Sequence, residues 1–306
     1  MQTTLQSAIE FSGIGLHTGA PIAMRVCPAP AGHGIVFRRT DLPAAVADIP
    51  ARWDTVVQTP LNTRIENESR VAVATVEHLM AALAGCGIHN ALVRIDGPEV
   101  PVMDGSSRDF VKGLLKAGVR RLSAPLDVIE IRETVEVRRG DAIARLSPAT
   151  SLQIDFSIDF EDTAIGAQSQ RLDMANGTFL RELADCRTFC RLSDVDAMKA
   201  QGLALGGTFD NAVVVDGDQV LSPGGLRRDD EAVRHKMLDA LGDLSTAGAP
   251  ILGRYTGIRA GHALTNALLR ELFDRPQAWR SVRATERMAD RLPGAGVRIS
   301  DLAEVA

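Results

Sequence analysis

The sequence predicts an α+β fold made of two related units. Three observations carry that prediction. In LQIDFSIDF (152–160), Leu152, Ile154, Phe156, Ile158 and Phe160 alternate strictly with polar residues, the period of a strand with one buried face. In VRHKMLDALGDL (233–244), Met237, Leu238, Leu241 and Leu244 recur at steps of three and four, the period of a helix. The nonapeptides EHLMAALAG (77–85) and RHKMLDALG (234–242) align without a gap at His, Met and Gly, each in a half that runs from strands into helices.

Taken in order, IAMRVCP (22–28) and ALVRIDG (91–97) read as strands closed by Pro or Gly. ATVEHLMAALAGCG (74–87) reads as a helix that ends at glycine, with Thr75 near its start. SSRDFVKGLLKAGV (106–119) reads as a second helix, capped by Ser106 or Ser107, with Phe110, Val111, Leu114 and Leu115 as its apolar stripe. The polar, Pro-containing joint at 120–127 is the expected boundary and divides the chain into units 1–123 and 124–306. Strands dominate next: 127–141 alternates and turns at Gly140-Asp141, and 152–160 follows. Helices are expected at 229–247 and 261–273, and the charged tail is expected to be irregular.

Composition limits what such a fold can do. With 306 residues, 45% hydrophobic and 24% charged, the chain is an ordinary soluble globular protein. Aromatic residues are only 4% and the formal net charge is −5, so neither base stacking nor a basic face favours nucleic acid as a partner. The four cysteines, at 27, 86, 186 and 190, fit no zinc-ribbon spacing and are expected to be reduced. MQTTLQSAIEFSG has no basic stretch followed by an apolar run, and no segment is apolar enough to span a bilayer. The expected address is the cytoplasm and the expected state a monomer.

The helix at 229–247 carries more than an apolar stripe. His235, Asp239 and Asp243 fall one turn apart on one edge, and i, i+4 spacing lets an imidazole and a carboxylate share one cation. Alone, that pair is more often a hydrogen-bonded surface pair. Glu77-His78 tilts the balance, because two polar residues stand side by side in an otherwise apolar helix. Adjacent helical residues diverge by about 100°, so His78 can bind a metal while Glu77 reaches a water beside it. His78, His235 and Asp239 make three zinc ligands and leave a fourth position for solvent. His262, directly after Gly261, can stabilise an oxyanion or protonate a leaving nitrogen, and Asp243 can hold it in its charged form. A structural zinc normally takes four protein ligands, usually including Cys, which weighs against a noncatalytic protein. GIGLHTG (13–19) is glycine-rich but lacks the strand-glycine-helix setting of a dinucleotide site.

Six motifs, in order, resemble one family: GIGLHTG (13–19), TVEHLMAALAG (75–85), EVPVMDGSS (99–107), CRTF (186–189), VRHKMLDALGDL (233–244) and GHALTN (261–266). The chain is similar to the UDP-3-O-acyl-N-acetylglucosamine deacetylases, zinc hydrolases that remove acetate from an acylated UDP-glucosamine at the committed step of lipid A synthesis in Gram-negative bacteria. The resemblance implies two similar domains, each a mixed sheet packed on two helices, with the helices sandwiched between the sheets. It implies Zn2+ on His78, His235 and Asp239, and this mixed nitrogen and oxygen set also accepts Fe2+. It implies Glu77 as general base, His262 as acid oriented by Asp243, and Thr188 binding the developing oxyanion. Lys236 would contact the diphosphate, Phe160 would lie against the uracil, and Phe189 would help line the cleft. A β-α-β insert forming an acyl-chain passage is expected within about 190–220. Two departures from the family pattern stand out. The stretch TPLNT (59–63) lacks the cysteine some relatives carry, so weaker inhibition by excess zinc is expected, and Cys190 adds bulk after CRTF. His17 is expected to make a structural hydrogen bond, and His33 and His89 to be bystanders. The remaining enzymatic alternative is a hydrolase using the same site on another nucleotide sugar.

Overall fold

The computed structural model describes residues 1–59 and 61–302, and within them one topology occurs twice. The first copy runs β1 (Ile9–Ile14), β2 (Pro21–Pro28), β3 (Ile35–Arg39), β4 (Asp48–Pro50), α1 (Glu77–Gly85), β5 (Ala91–Ile95) and α2 (Arg108–Ala117). The second runs β6 (Val135–Arg139), β7 (Ala142–Pro148), β8 (Leu152–Asp159) and β9 (Ala167–Asp173). It then passes through the segment β10 (Phe189–Arg191), α3 (Leu192–Ala200) and β11 (Val213–Asp216), and resumes with α4 (Glu231–Ser245), β12 (Ile251–Ile258) and α5 (His262–Phe273).

The strand paths are β1-β2-β5-β3-β4 and β6-β7-β12-β8-β9. Along each path all neighbours are antiparallel except one. The exceptions are β3 with β5, in register from Ile35↔Ala91 to Arg39↔Ile95, and β8 with β12, from Leu152↔Gly253 to Ser157↔Ile258. A parallel pair needs a long crossover, and in both copies that crossover contains the helix bearing the nonapeptide echo. The second sheet is extended by Asp127–Ile131, parallel to β12, and by Trp279–Arg283, antiparallel to Asp127–Ile131.

The fold is therefore α+β with mixed sheets, and the helices lie between them. β8 shows why: Leu152, Ile154, Phe156 and Ile158 are buried while Gln153, Asp155 and Ser157 are half-buried. The apolar face needs cover, which α4 supplies with Val233, Met237, Leu241 and Leu244. The α1 helix is buried along almost its whole length, so it has no solvent face. It packs on α4 so closely that a Cβ on Gly242 would lie 2.1 Å from the Glu77 carbonyl oxygen.

Several local expectations change. The helix expected at 74–87 begins only at Glu77, because Thr75 takes a left-handed backbone (φ 56°) and its hydroxyl donates to Glu99 (2.9 Å). Ser107 does not cap α2, since its hydroxyl donates to the His78 carbonyl (2.8 Å), whereas Ser106 donates to Asp104 (2.7 Å) and its oxygen accepts the amide of Arg108 (3.2 Å), the first residue of α2. The tail is not irregular throughout, since Trp279–Arg283 pairs in the sheet and Glu286–Ala289 is a helical turn capped by Thr285. Pro60, within TPLNT, and the last four residues of the 124–306 unit lie outside the described residues. Among the described residues no helix is long and apolar enough to cross a membrane. The cysteines are all free, as expected.

His89 is more than a bystander. Its Nδ1 accepts from the Thr3 amide (3.2 Å), and burial lowers its pKa from 6.5 to about 4. The unfolded chain takes up this proton near pH 6.5 and the folded chain only near pH 4. The stabilisation is therefore complete above pH 6.5 and lost as pH falls toward 4, by at most about 3 kcal/mol. Urea denaturation from pH 7 to 4 should show wild type losing more stability than His89→Gln. Parallel curves would remove this role.

Candidate active site

The site forms where α1, α4 and α5 meet. His78 projects from the first turn of α1, His235 and Asp239 from consecutive turns of α4. Among the described residues they make the one group of three or more His, Cys, Asp or Glu residues with metal-binding geometry: their ligand atoms lie within 4.8 Å of one another and all three are buried. The two imidazoles stand edge to face with centroids 5.0 Å apart. Asp239 Oδ1 lies 3.3 Å from His235 Nε2 and 3.6 Å from His78 Nε2, yet it is buried without a hydrogen-bond partner. An unsatisfied carboxylate oxygen buried between two imidazole nitrogens is costly unless a cation occupies the space they share.

The surroundings prepare these atoms to bind a cation. The Nδ1–H of His235 donates to the Cys186 carbonyl (3.1 Å), which leaves Nε2 as the bare lone pair facing Asp239. Burial lowers the His235 pKa to about 4, so the ring is neutral near pH 7. Burial opposes the charge on Asp239, but His235, Lys236 and His262 outweigh it and hold the carboxyl well below its usual range. Lys236 Nζ donates to Asp239 Oδ2 (2.8 Å), and although burial disfavours its charge, Asp239 raises its pKa.

Acid and base groups flank the ligands. Glu77 is buried rather than on the solvent side, and desolvation raises its pKa. His262, the first residue of α5, sets Nδ1 against Asp243 Oδ2 (3.0 Å) and Nε2 toward Glu77 Oε1 (3.9 Å) and Asp239 Oδ2 (3.8 Å). Burial disfavours the imidazolium, but Asp243, Glu77 and Asp239 together raise its pKa to about 9. A neutral His235 ring thus sits beside a cationic His262 imidazole and the buried Glu77 carboxyl group. That combination can activate water, stabilise an oxyanion and protonate a leaving group.

A cleft of about 360 Å³ opens onto these groups, lined by Thr188, Phe189, His235, Lys236, Asp239 and His262. Phe189 packs edge to face on Phe160 (5.5 Å) and faces His235 (6.2 Å). Phe160 is not among the residues that line this cleft and meets the lining through Phe189. β10 and β11 are parallel and α3 lies between them, a β-α-β unit over 189–216. A second cavity of about 450 Å³ adjoins at Leu61, but the guanidiniums of Arg39, Arg64 and Arg70 there are answered by Asp41 and Glu66.

The sequence reasoning missed four residues. Arg139 and Arg259 stand at the cleft. Glu99, fully buried, accepts from the amides of His17 (2.8 Å) and Thr18 (2.9 Å) and the hydroxyls of Thr18 (2.8 Å) and Thr75 (2.9 Å). It ties GIGLHTG to the start of α1, and its place in the quoted motif EVPVMDGSS was the available signal. Thr63 touches both Glu77 and Asp243. The structural hydrogen bond expected of His17 is present: its Nδ1 accepts from the Ala204 amide (3.3 Å).

Comparison with known proteins points to one family. The UDP-3-O-acyl N-acetylglycosamine deacetylase (LpxC) family model matches residues 2–274. The chain is 50% identical over 289 residues to a UDP-3-O-acyl-N-acetylglucosamine deacetylase of Phenylobacterium zucineum, covering 94% of this chain and 99% of that protein. Proteins of the same name from Idiomarina loihiensis (94% of this chain, 94% of that protein) and Myxococcus xanthus (99% and 95%) are each 47% identical.

Adding a methyl where α1 and α4 touch should disturb the ligand trio. Gly242→Ala is expected to destabilise the fold by about 1–3 kcal/mol and to weaken Zn2+ binding about tenfold or more. Thermal denaturation and competition with a chelating dye measure the two effects. Unchanged metal affinity would show that the helix crossing does not set the ligand spacing.

Proposed function

The chain belongs to the UDP-3-O-acyl N-acetylglycosamine deacetylase family, and on that premise we propose that it hydrolyses the acetamide of a UDP-3-O-(3-hydroxyacyl)-N-acetylglucosamine at a divalent metal held by His78, His235 and Asp239. The products are acetate and the free amine, and the reaction is the lipid A step named above. The observation that carries this function is the buried, unpartnered Asp239 oxygen between two imidazole nitrogens, with Glu77 and His262 beside it.

The metal supplies Lewis acidity to the acetyl carbonyl and to a water molecule, and zinc suits the two nitrogens and one oxygen of this donor set, as does ferrous iron. Glu77, made more basic by burial, takes the proton of the attacking water. Negative charge then develops on the carbonyl oxygen, where Thr188 donates a hydrogen bond. His262, held cationic by Asp243, gives its proton to the glucosamine nitrogen as the carbon–nitrogen bond breaks.

Lys236, Arg139 and Arg259 place positive charge at the cleft, suited to a diphosphate. Phe189 lines the cleft on the nucleotide side, and Phe160 supports it there against the uracil. In the insert, α3 has no buried residue, and Leu192, Leu205 and Phe209 are exposed, an apolar edge suited to an acyl chain. The two topological copies are taken as domains 1–123 and 124–306 of a cytoplasmic monomer.

Chelation should abolish acetate release from the acylated UDP-sugar, and Zn2+ or Fe2+ should restore it. Glu77→Ala should retain about one bound metal while turnover falls by roughly 10²–10⁴. If instead that variant loses its metal, the division of duties between Glu77 and His78 is wrong. If the wild-type protein releases acetate only from another nucleotide sugar, the substrate assignment is wrong.

A further inference from the structure

We propose that Thr63 is a positioning residue that holds the base and the acid of the reaction in one frame. Every polar group of this buried side chain and its peptide is committed to that task. The Thr63 amide donates to Glu77 Oε2 (3.0 Å), the hydroxyl donates to Asp243 Oδ1, and the carbonyl accepts from the Val76 amide (3.2 Å) at the start of α1. Each carboxylate has two oxygens, and Thr63 binds the one that His262 does not face. Glu77 keeps Oε1 directed at His262 Nε2, and Asp243 keeps Oδ2 on His262 Nδ1.

A carboxylate bound through one oxygen can turn about its terminal torsion, which is soft. Fixing the second oxygen removes that freedom. Asp243 belongs to α4 and Glu77 to α1, so one threonine joins acid and base across the two topological copies. Its hydroxyl acts on the reaction only through Asp243 and His262.

This inference deepens the deacetylase function and rests on it. The test compares Thr63→Val, which keeps shape and amide but removes the hydroxyl, with Thr63→Ser, which keeps the hydroxyl. On the acylated UDP-sugar, Thr63→Val should lower kcat about 10- to 100-fold with KM within about twofold and zinc content unchanged, and Thr63→Ser should restore most of the loss. Equal impairment of both variants, an effect on KM alone, or wild-type kcat in Thr63→Val would overturn the proposal. Crystal structures of the zinc-loaded variants give a readout independent of turnover: in Thr63→Val the Asp243 carboxylate should rotate and the His262 ring should shift. Unmoved groups there overturn the proposal even if no acetate is released by any form, whereas absent activity in the wild type with the expected rotation in Thr63→Val rejects only the substrate assignment.

Discussion

The close crossing of α1 and α4 is the constraint on which the rest depends. Glycine at 242 lets the backbone of α4 meet the Glu77 carbonyl, where a single Cβ would come within 2.1 Å. Side-chain freedom alone does not make up for a wider crossing, because imidazole is short and rigid. At this separation His78 reaches Asp239 and stands edge to face with His235. The same crossing buries Glu77, and burial raises its affinity for protons. One packing decision therefore sets both ligand spacing and base strength.

Charge imposes the second constraint. Three buried carboxylates, Glu77, Asp239 and Asp243, face two cationic groups, Lys236 and His262, since the His235 ring is kept neutral by burial. The balance leaves negative charge in a region that water cannot reach freely, a costly state. A divalent cation on the ligand trio reverses the sign of that balance. Such a cation would also act against the charge on His262, which the Asp243 contact would then offset. The Cys186 carbonyl and the paired Arg187–Glu231 behind it hold His235 in the ligating tautomer without adding net charge at the site.

What the sequence made legible follows the range of the interactions involved. The Met237-Leu238-Leu241-Leu244 stripe and the β8 alternation are local patterns, and both appear in the structure as expected. The closeness of His235 and Asp239 was legible for the same reason, one helical turn separating them. Strands β1, β3 and β4 were not, because Gly, Ser and Glu interrupt the first and the others are only five and three residues long. Thr63 stayed hidden because its partners lie 14 and 180 residues away. Ser107 looked like a cap because caps are local, but the nearby His78 carbonyl took its hydroxyl. Phe160 was assigned from the resemblance alone, and its edge-to-face contact with Phe189 is a long-range feature that no local pattern shows.

The repeated topology brings one histidine from each copy to the same site. His78 and His235 occupy the same position in the two nonapeptides, as do Gly85 and Gly242, and both glycines sit where another group presses on the helix. The copies then differ where chemistry differs. Ala82 stands opposite Asp239, Leu79 opposite Lys236, and Glu77 opposite Arg234. Helical geometry distributes the added groups. Each step of four residues turns about 40°, so Asp239 still faces the point that His235 faces, while Asp243 has turned about 80° and meets His262 instead. On α1 a single step of about 100° separates His78 from Glu77. The helical repeat thus sends neighbouring residues to different sides, and a few differing residues per helix separate the candidate site from an ordinary packed interface.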